Sequence, residues 1–332
     1  MWGVLMAERK DNLFIRIFRI RGMGQVITVT GGLIVLCFAF YTINPRFLGS
    51  DNLVNLMRQI APFVIIGIGQ SYVLITGNID LSIGSVIGMS VMMSATFMSS
   101  GMDPMLAIIL TLIAALSVGA INGILVSRFS LPPFIATLGT MTIARGIAQI
   151  VNNGRNTDLI GEHADWFSDL FYYGSFLGVF NSFWIALVLW AIFFVFLSKT
   201  RSGRHIYAVG SNREAAKMSG VNVSMTITKA YLVSAFCACI VGLIQCAQGR
   251  IGTMDAGTSF EMFAVAAAVI GGISPLGGQG ILLGTAVGAA VWAVMQNGLS
   301  LSGAPVAWRN ISVGAIVIIS ALADVLIRRR KD

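Results

Sequence analysis

Charge is what this chain has least of. Of its 332 residues, 11% are Asp, Glu, Lys or Arg, while 56% are hydrophobic and the mean hydropathy is +0.83. Soluble domains carry roughly 25% charged residues, so a soluble fold is excluded first. Cysteine is sparse as well. Cys37, Cys237, Cys239 and Cys246 all fall in apolar segments with no CxxC pairing, so they read as small buried residues rather than disulfides or metal ligands. The two histidines, His163 and His205, lie in connecting segments, and neither HExxH nor a serine–histidine pair within an apolar run occurs, which argues against an intramembrane enzyme. GxxxxGK[ST] is absent too, so the chain carries no P-loop of its own. Charges within or near the apolar runs are few: Asp80, Arg145, Lys229, Glu261 and Asp324. A proton-coupled carrier usually needs a chain of buried carboxylates, and this chain supplies little beyond Asp80.

Long apolar runs are what the chain has instead. They fall at about 25–43, 60–76, 83–99, 104–126, 133–152, 179–198, 225–247, 260–273, 281–299 and 309–327. Lipid offers the backbone no partners, so only helices or a closed barrel can span it. These runs are too long and unbroken for barrel strands of about 10 residues. The expectation is an all-α polytopic membrane protein of about ten transmembrane helices with broken or re-entrant elements. The first run has no convincing cleavage site and reads as a retained helix.

The formal net charge of +8 would suggest a nucleic-acid partner in a soluble protein. Here the basic residues sort by side of a membrane. Arg9, Lys10, Arg16, Arg19 and Arg21 precede the first run, Arg128 sits in a short loop, and Lys199, Arg201, Arg204, Arg213 and Lys217 fill the 199–224 loop. Arg328, Arg329, Arg330 and Lys331 close the chain, whereas the alternate loops hold few basic residues and include an acidic, aromatic stretch at 153–178. By the positive-inside rule both termini are cytoplasmic. Full spans and re-entrant hairpins at 60–99 and 260–299 give the same parity, so charge does not choose between them. Residues 9–21 alternate Arg with Phe and Ile, which suits a basic helix lying on the membrane surface or ordinary flanking charge.

Two interruptions stand out. The stretch Ile75–Val86, ITGNIDLSIGSV, places an amide, a carboxylate and two hydroxyls between apolar runs, and a second Gly/Ser-rich break recurs at 271–278. Corresponding broken helices point to a transport path. A carboxylate at the centre of a bilayer costs about 2.5–3.5 kcal/mol even on an insertion scale. Asp80 has three readings: it caps the helix beginning near Leu81, it pairs with Arg145, or it contacts a solute. The polar candidates for a path are Asn78, Asp80, Ser82, Ser274, Gln296 and Asn297, each equally able to make ordinary interhelical hydrogen bonds. In the 199–224 loop, Ser211 and Glu214 have capping-box spacing, Ala215 and Ala216 favour helix, and Gly220 supplies a stop. The predicted helix of about two turns cannot stand alone in water; it packs on its own protein or on a soluble partner.

TGNIDLSIGS at 76–85 resembles the T-G-G-I-D-L-S-V-G-S signature of permease subunits in bacterial ABC importers for ribose, xylose and galactose. Leu131–Met141 (LPPFIATLGTM), Gly203–Gly220 and the glycine-rich turn Gly271–Gly280 are similar to further segments of that family, in order, across about 45–325. The resemblance implies a single transmembrane permease domain at 25–327, flanked by a basic N-terminal segment at 1–24 and a tail at 328–332. It implies a second permease copy, alike or sister, in the bacterial inner membrane. It also implies a cytoplasmic ATPase that binds ATP and Mg, and an extracytoplasmic sugar-binding protein that delivers the solute. The chain itself would bind no cofactor or metal. Its EAA-like loop, with Ser211, Arg213, Glu214, Ala215, Ala216 and Gly220, would dock the ATPase. A stand-alone carrier or channel is the alternative, and the solute is a pentose, a hexose or a related small polar molecule. Three positions depart from the family pattern: Asn78 replaces a Gly, Phe263 an Asp and Val313 a Lys, the last two being a former ion pair on one reading.

Overall fold

The computed structural model describes residues 23–305 and scattered helical positions between 307 and 322. The basic segment at 9–21, the tail at 328–332 and Val313 lie outside the described residues, so the Phe263–Val313 pairing is not addressed. Helix α1 (Met23–Ile43) leads through a 3-10 turn at Pro45–Leu48 into α2 (Ser50–Ile75). Then come α3 (Ile83–Ser99), α4 (Pro104–Ser127) and α5 (Pro133–Val151). Proline begins both α4 and α5, where its missing N–H has no intrahelical acceptor to lose. Asp103 caps α4 by accepting from the N–H groups of Met105 and Leu106. The connection 152–180 holds short helical turns at 162–173 and a small hairpin, Ser175–Phe176 with Val179–Phe180. Helices α6 (Asn181–Lys199), α7 (Arg201–Ser211), α8 (Arg213–Met218), α9 (Val223–Gly249), α10 (Phe260–Ile270) and α11 (Leu282–Leu301) follow.

The chain is an all-α, multi-pass membrane protein. Among the described residues, α1, α2, α4, α5, α6, α9 and α11 are the seven helices long and apolar enough to cross a bilayer. Two apolar runs that the sequence reading counted as spans form shorter helices: α3 has 17 residues and α10 has 11. At 1.5 Å per residue these reach about 25 and 16 Å, against a hydrocarbon core of about 30 Å. Irregular chain leads into both: 76–82 precedes α3, and 250–259 precedes α10. Such backbone is tolerated at membrane depth where it is enclosed by protein.

Helices α2, α9 and α11 are largely buried, whereas α1 and α6 turn residues such as Val35, Phe38, Val188 and Ile192 outward, as lipid-facing helices do. Helix α9 packs against α2, α3 and α4. Its close approach to α4 requires small residues four apart. A Cβ on Gly119 would stand 2.6 Å from the Ala235 Cβ, and one on Gly123 would stand 2.6 Å from the Thr228 Cα. Backbone cannot yield as a side chain can. Gly123→Leu is therefore expected to cost about 1–3 kcal/mol, seen as earlier loss of the monodisperse species on heating in detergent. Unchanged thermal stability would contradict this contact.

Candidate transport and coupling site

The break after α2 is held by Asp80, which is 2% exposed. Its Oδ1 accepts from the Ser82 N–H (2.9 Å) and the Ser82 hydroxyl (2.6 Å), and its Oδ2 accepts from Ser234 of α9 at 2.7 Å. Ser82 Oγ in turn accepts from Asn122 Nδ2 of α4 at 2.9 Å, and Asn122 Oδ1 accepts from Thr140 of α5 at 2.6 Å. Tyr231 adds a hydrogen bond to the Ile79 carbonyl. One carboxylate thus anchors a network joining the break to α4, α5 and α9.

This corrects one reading of Asp80 and refines another. Arg145 is not its partner: that guanidinium donates to the Ala256 carbonyl at 2.8 Å, with longer approaches to Met254 and Gly84. The carbonyls of Met254 and Ala256 in the loop before α10 and of Gly84 in α3 hold part of the guanidinium where α5 delivers it, and leave further N–H donors free of these contacts. Nor does Asp80 act as an N-cap on the first turn of α3. It accepts the N–H of Ser82, which itself occupies the cap position.

The second break lies against the first. Gly278 N–H donates to the Ile75 carbonyl at 2.8 Å, while Ser274 accepts from the Leu276 N–H within its own turn. The end of α7 is wedged across both. Tyr207 donates to the Gly280 carbonyl at 2.7 Å, and a Cβ on Gly210 would stand 1.7 Å from the Ile75 oxygen and 2.7 Å from the Gly278 nitrogen. Burial pushes the Tyr207 hydroxyl up to about 12.

Helix α8 follows at once. Its cap is Asn212, whose Oδ1 accepts from the Ala215 N–H at 2.9 Å; Ser211, expected as the cap, is instead the last residue of α7. The two adjacent residues are both good caps, and α7 extends far enough to take the first. Gly220 terminates α8 as expected, with φ +80° and the Val221 N–H donating to Ala216 O at 3.0 Å. Ala216 is buried, whereas Glu214, Ala215 and Lys217 are exposed and Met218 is 87% exposed. Arg213 reaches back and donates to Asn78 Oδ1 at 2.7 Å. A cavity of about 590 Å³ opens beside α8, lined by Ser130, Pro132, Arg213, Glu214, Lys217 and Asn222.

A second cavity, of about 430 Å³, lies where α3, α5 and the start of α10 meet. Its polar lining is Ser85, Thr142, Arg145, Gln149, Thr258, Ser259 and Glu261. None of the six path candidates lines it. Asn78, Asp80 and Ser82 belong to the first break and Ser274 to the second; Asn297 bonds Asn52 near the opposite end of α2, and Gln296 is half-buried on α11. The signal that would have found the cavity is the spacing Thr142, Arg145, Gln149, which sets polar side chains along one face of α5. Among the described residues, no cluster of His, Cys, Asp or Glu could hold a metal ion.

The family model described as "Branched-chain amino acid transport system / permease component" matches residues 52–321. The chain belongs to this permease family. Over 293 residues it is 35% identical to the ribose import permease protein RbsC of Bacillus subtilis, covering 88% of this chain and 90% of that one. It is 32% identical to the D-allose transport system permease protein AlsC of Escherichia coli, over 90% of each chain. With the fructose import permease protein FruF of Bifidobacterium longum it shares 36% identity, over 74% of this chain and 69% of the other. No solved structure matches the chain. A permease component is a transport subunit.

Proposed function

We propose that this chain is the membrane-spanning subunit of an ATP-driven importer that passes a monosaccharide into the cytoplasm. The observation that carries this reading is the likeness, over most of the chain, to permeases named for ribose, allose and fructose import. The cavity on α5 suits such a solute. A sugar is neutral and rich in hydroxyls, and this lining offers donors from Arg145, an acceptor carboxylate from Glu261, and the hydroxyl and amide groups of Ser85, Thr142, Gln149 and Thr258. The permease domain spans 25–327 in about ten crossings, counting α3, α10 with its extended lead-in, and the last apolar run. Both termini and the 199–224 loop face the cytoplasm of a bacterial inner membrane, as the Lys and Arg distribution argues.

A second permease copy, a separate ATPase carrying ATP and Mg, and an extracytoplasmic sugar-binding protein complete the machine. The exposed surface of α8 receives the ATPase: Arg213, Glu214 and Ala215 present it, Ser211 and Gly220 bound it, and buried Ala216 fixes it to the body. Along the path, the breaks holding Asn78, Asp80, Ser82 and Ser274 form the cytoplasmic closure, and Gln296 and Asn297 of α11 flank the outer approach. Glu261→Gln keeps the size of the side chain and removes its charge. It is expected to lower sugar uptake by about tenfold or more, a loss of about 1.4 kcal/mol, while the ATPase still co-purifies. Wild-type uptake would remove the cavity from the path.

A further inference from the structure

We infer that the Asn78–Arg213 hydrogen bond is the tie through which α8 moves the intramembrane break, making Asn78 a positioning residue of the transport cycle. The inference rests on the reading that α8 receives the ATPase. Asn78 is 3% exposed, yet its partner comes from the exposed helix α8. Both ends of the amide are engaged: Oδ1 accepts from Arg213 Nη2 at 2.7 Å, and Nδ2 donates to the Thr76 hydroxyl at 2.7 Å, where α2 ends. Helix α8 has six residues and cannot hold its own position. Among the described residues, its own side chains hold the membrane part of the chain through buried Ala216 and this bond, beside the covalent link to α7.

What lies beyond Asn78 gives the bond its reach. Two residues on, Asp80 fastens the break to α9 through Ser234 and, by way of Ser82 and Asn122, to Thr140 of α5. Five residues past Thr140 on the same helix, Arg145 lines the cavity. A shift of α8 therefore passes from Arg213 to the break, and from the break to the helix that carries the cavity wall. The two links differ in kind. Asp80 is held by three hydrogen bonds from groups buried with it, a fixed joint. Arg213 meets Asn78 through one contact, on a long side chain at the protein surface, which can open and close within a cycle. Asn78 does not line the cavity, so its effect on transport runs through the break rather than through the solute.

The test uses the complete complex in nanodiscs and needs no knowledge of the sugar. Thr142→Cys, in a Cys37→Ser background, places a thiol in the cavity wall, and its maleimide labelling rate is measured without nucleotide and after ATP–vanadate trapping. With Asn78 and Arg213 present, trapping is expected to change the rate by about fivefold or more, the usual scale of coupling between sites. Asn78→Ala and Arg213→Ala should each abolish that change, and the double variant should look like either single, as two halves of one contact do. Asn78→Asp, which keeps the acceptor oxygen, should retain it. A full response in Asn78→Ala overturns the inference, and so does a double variant with a larger defect than both singles. Retention of the ATPase on the tagged chain is scored separately. If the parent complex retains no ATPase, the docking reading fails and the tie falls with it. If Arg213→Ala alone sheds the ATPase, Asn78→Ala against Asn78→Asp decides.

Discussion

Asp80→Ala is expected to yield almost no folded protein. The substitution removes the acceptor of three hydrogen bonds and leaves the hydroxyls of Ser82 and Ser234 facing an apolar surround. Hydrogen bonds to a charged group contribute about 1.5–3 kcal/mol each, and an orphaned buried donor costs about 1–3 kcal/mol. Even at the lower end, several kcal/mol are lost from a total that is typically 5–15 kcal/mol. The damage spreads because Ser82 also orients Asn122, and Asn122 orients Thr140. Asp80→Asn retains one acceptor oxygen for Ser82 and is expected to lose less, with reduced yield and a lower unfolding temperature. Fluorescence-detected gel filtration of membrane extracts reads both. Normal yield and heat stability for Asp80→Ala would show that the network is incidental. Asp80 would then need another role.

Glu214→Lys is expected to separate the chain from its ATPase and to lower ATP-driven uptake by about tenfold or more. Glu214 lies in the first turn of α8, is exposed, and has Arg213 and Lys217 as neighbours on the same short helix. Reversal therefore turns a mixed surface into a wholly basic one, so a partner surface that complements the carboxylate meets like charge. It also places a cation at a helix N-terminus, which costs about 0.3–1 kcal/mol. The fold should tolerate the change, because Glu214 makes no tertiary hydrogen bond among the described residues and Asn212 remains the cap. Unchanged gel-filtration behaviour with loss of the ATPase is the expected pair of results. Retained ATPase and full uptake would remove α8 from the docking surface.

Much of the fold was legible because lipid imposes so strong a constraint. The apolar runs at 83–99 and 104–126 became Ile83–Ser99 and Pro104–Ser127 with almost no shift, since Ser, Gly and Pro mark their ends. The start of α2 was read ten residues late. Its first turns, SDNLVNLMRQ, mix polar and apolar residues, and they pack through buried Leu56, Asn52 on Asn297, and Arg58 over Tyr172 and Phe180. Helix α7 went unread as well, although Ile206 and Val209 are spaced for one buried face and Thr200 caps it by accepting from the Gly203 N–H.

The breaks themselves were visible as clusters of Gly, Ser and Asn, whereas their partners were not. Ser234 lies 154 residues from Asp80 and Arg213 lies 135 from Asn78, and no local pattern records either meeting. The polar face of α5 was legible in principle. Reading Arg145 as a partner for Asp80 obscures it, because Arg145 forms a stripe with Thr142 and Gln149. Its actual acceptors are main-chain carbonyls, which a sequence does not display.

The central claim is that this chain moves sugar only as part of an ATP-driven complex. The direct measurement is to isolate the tagged chain from membranes with whatever accompanies it. The complex is then reconstituted in liposomes with its soluble binding protein, and uptake of radiolabelled ribose, allose and fructose is followed with and without ATP on the cytoplasmic face. The account predicts that a P-loop ATPase chain co-purifies and that uptake of one of these sugars requires both ATP and the binding protein. A chain that emerges alone and carries sugar down its gradient without ATP would contradict it.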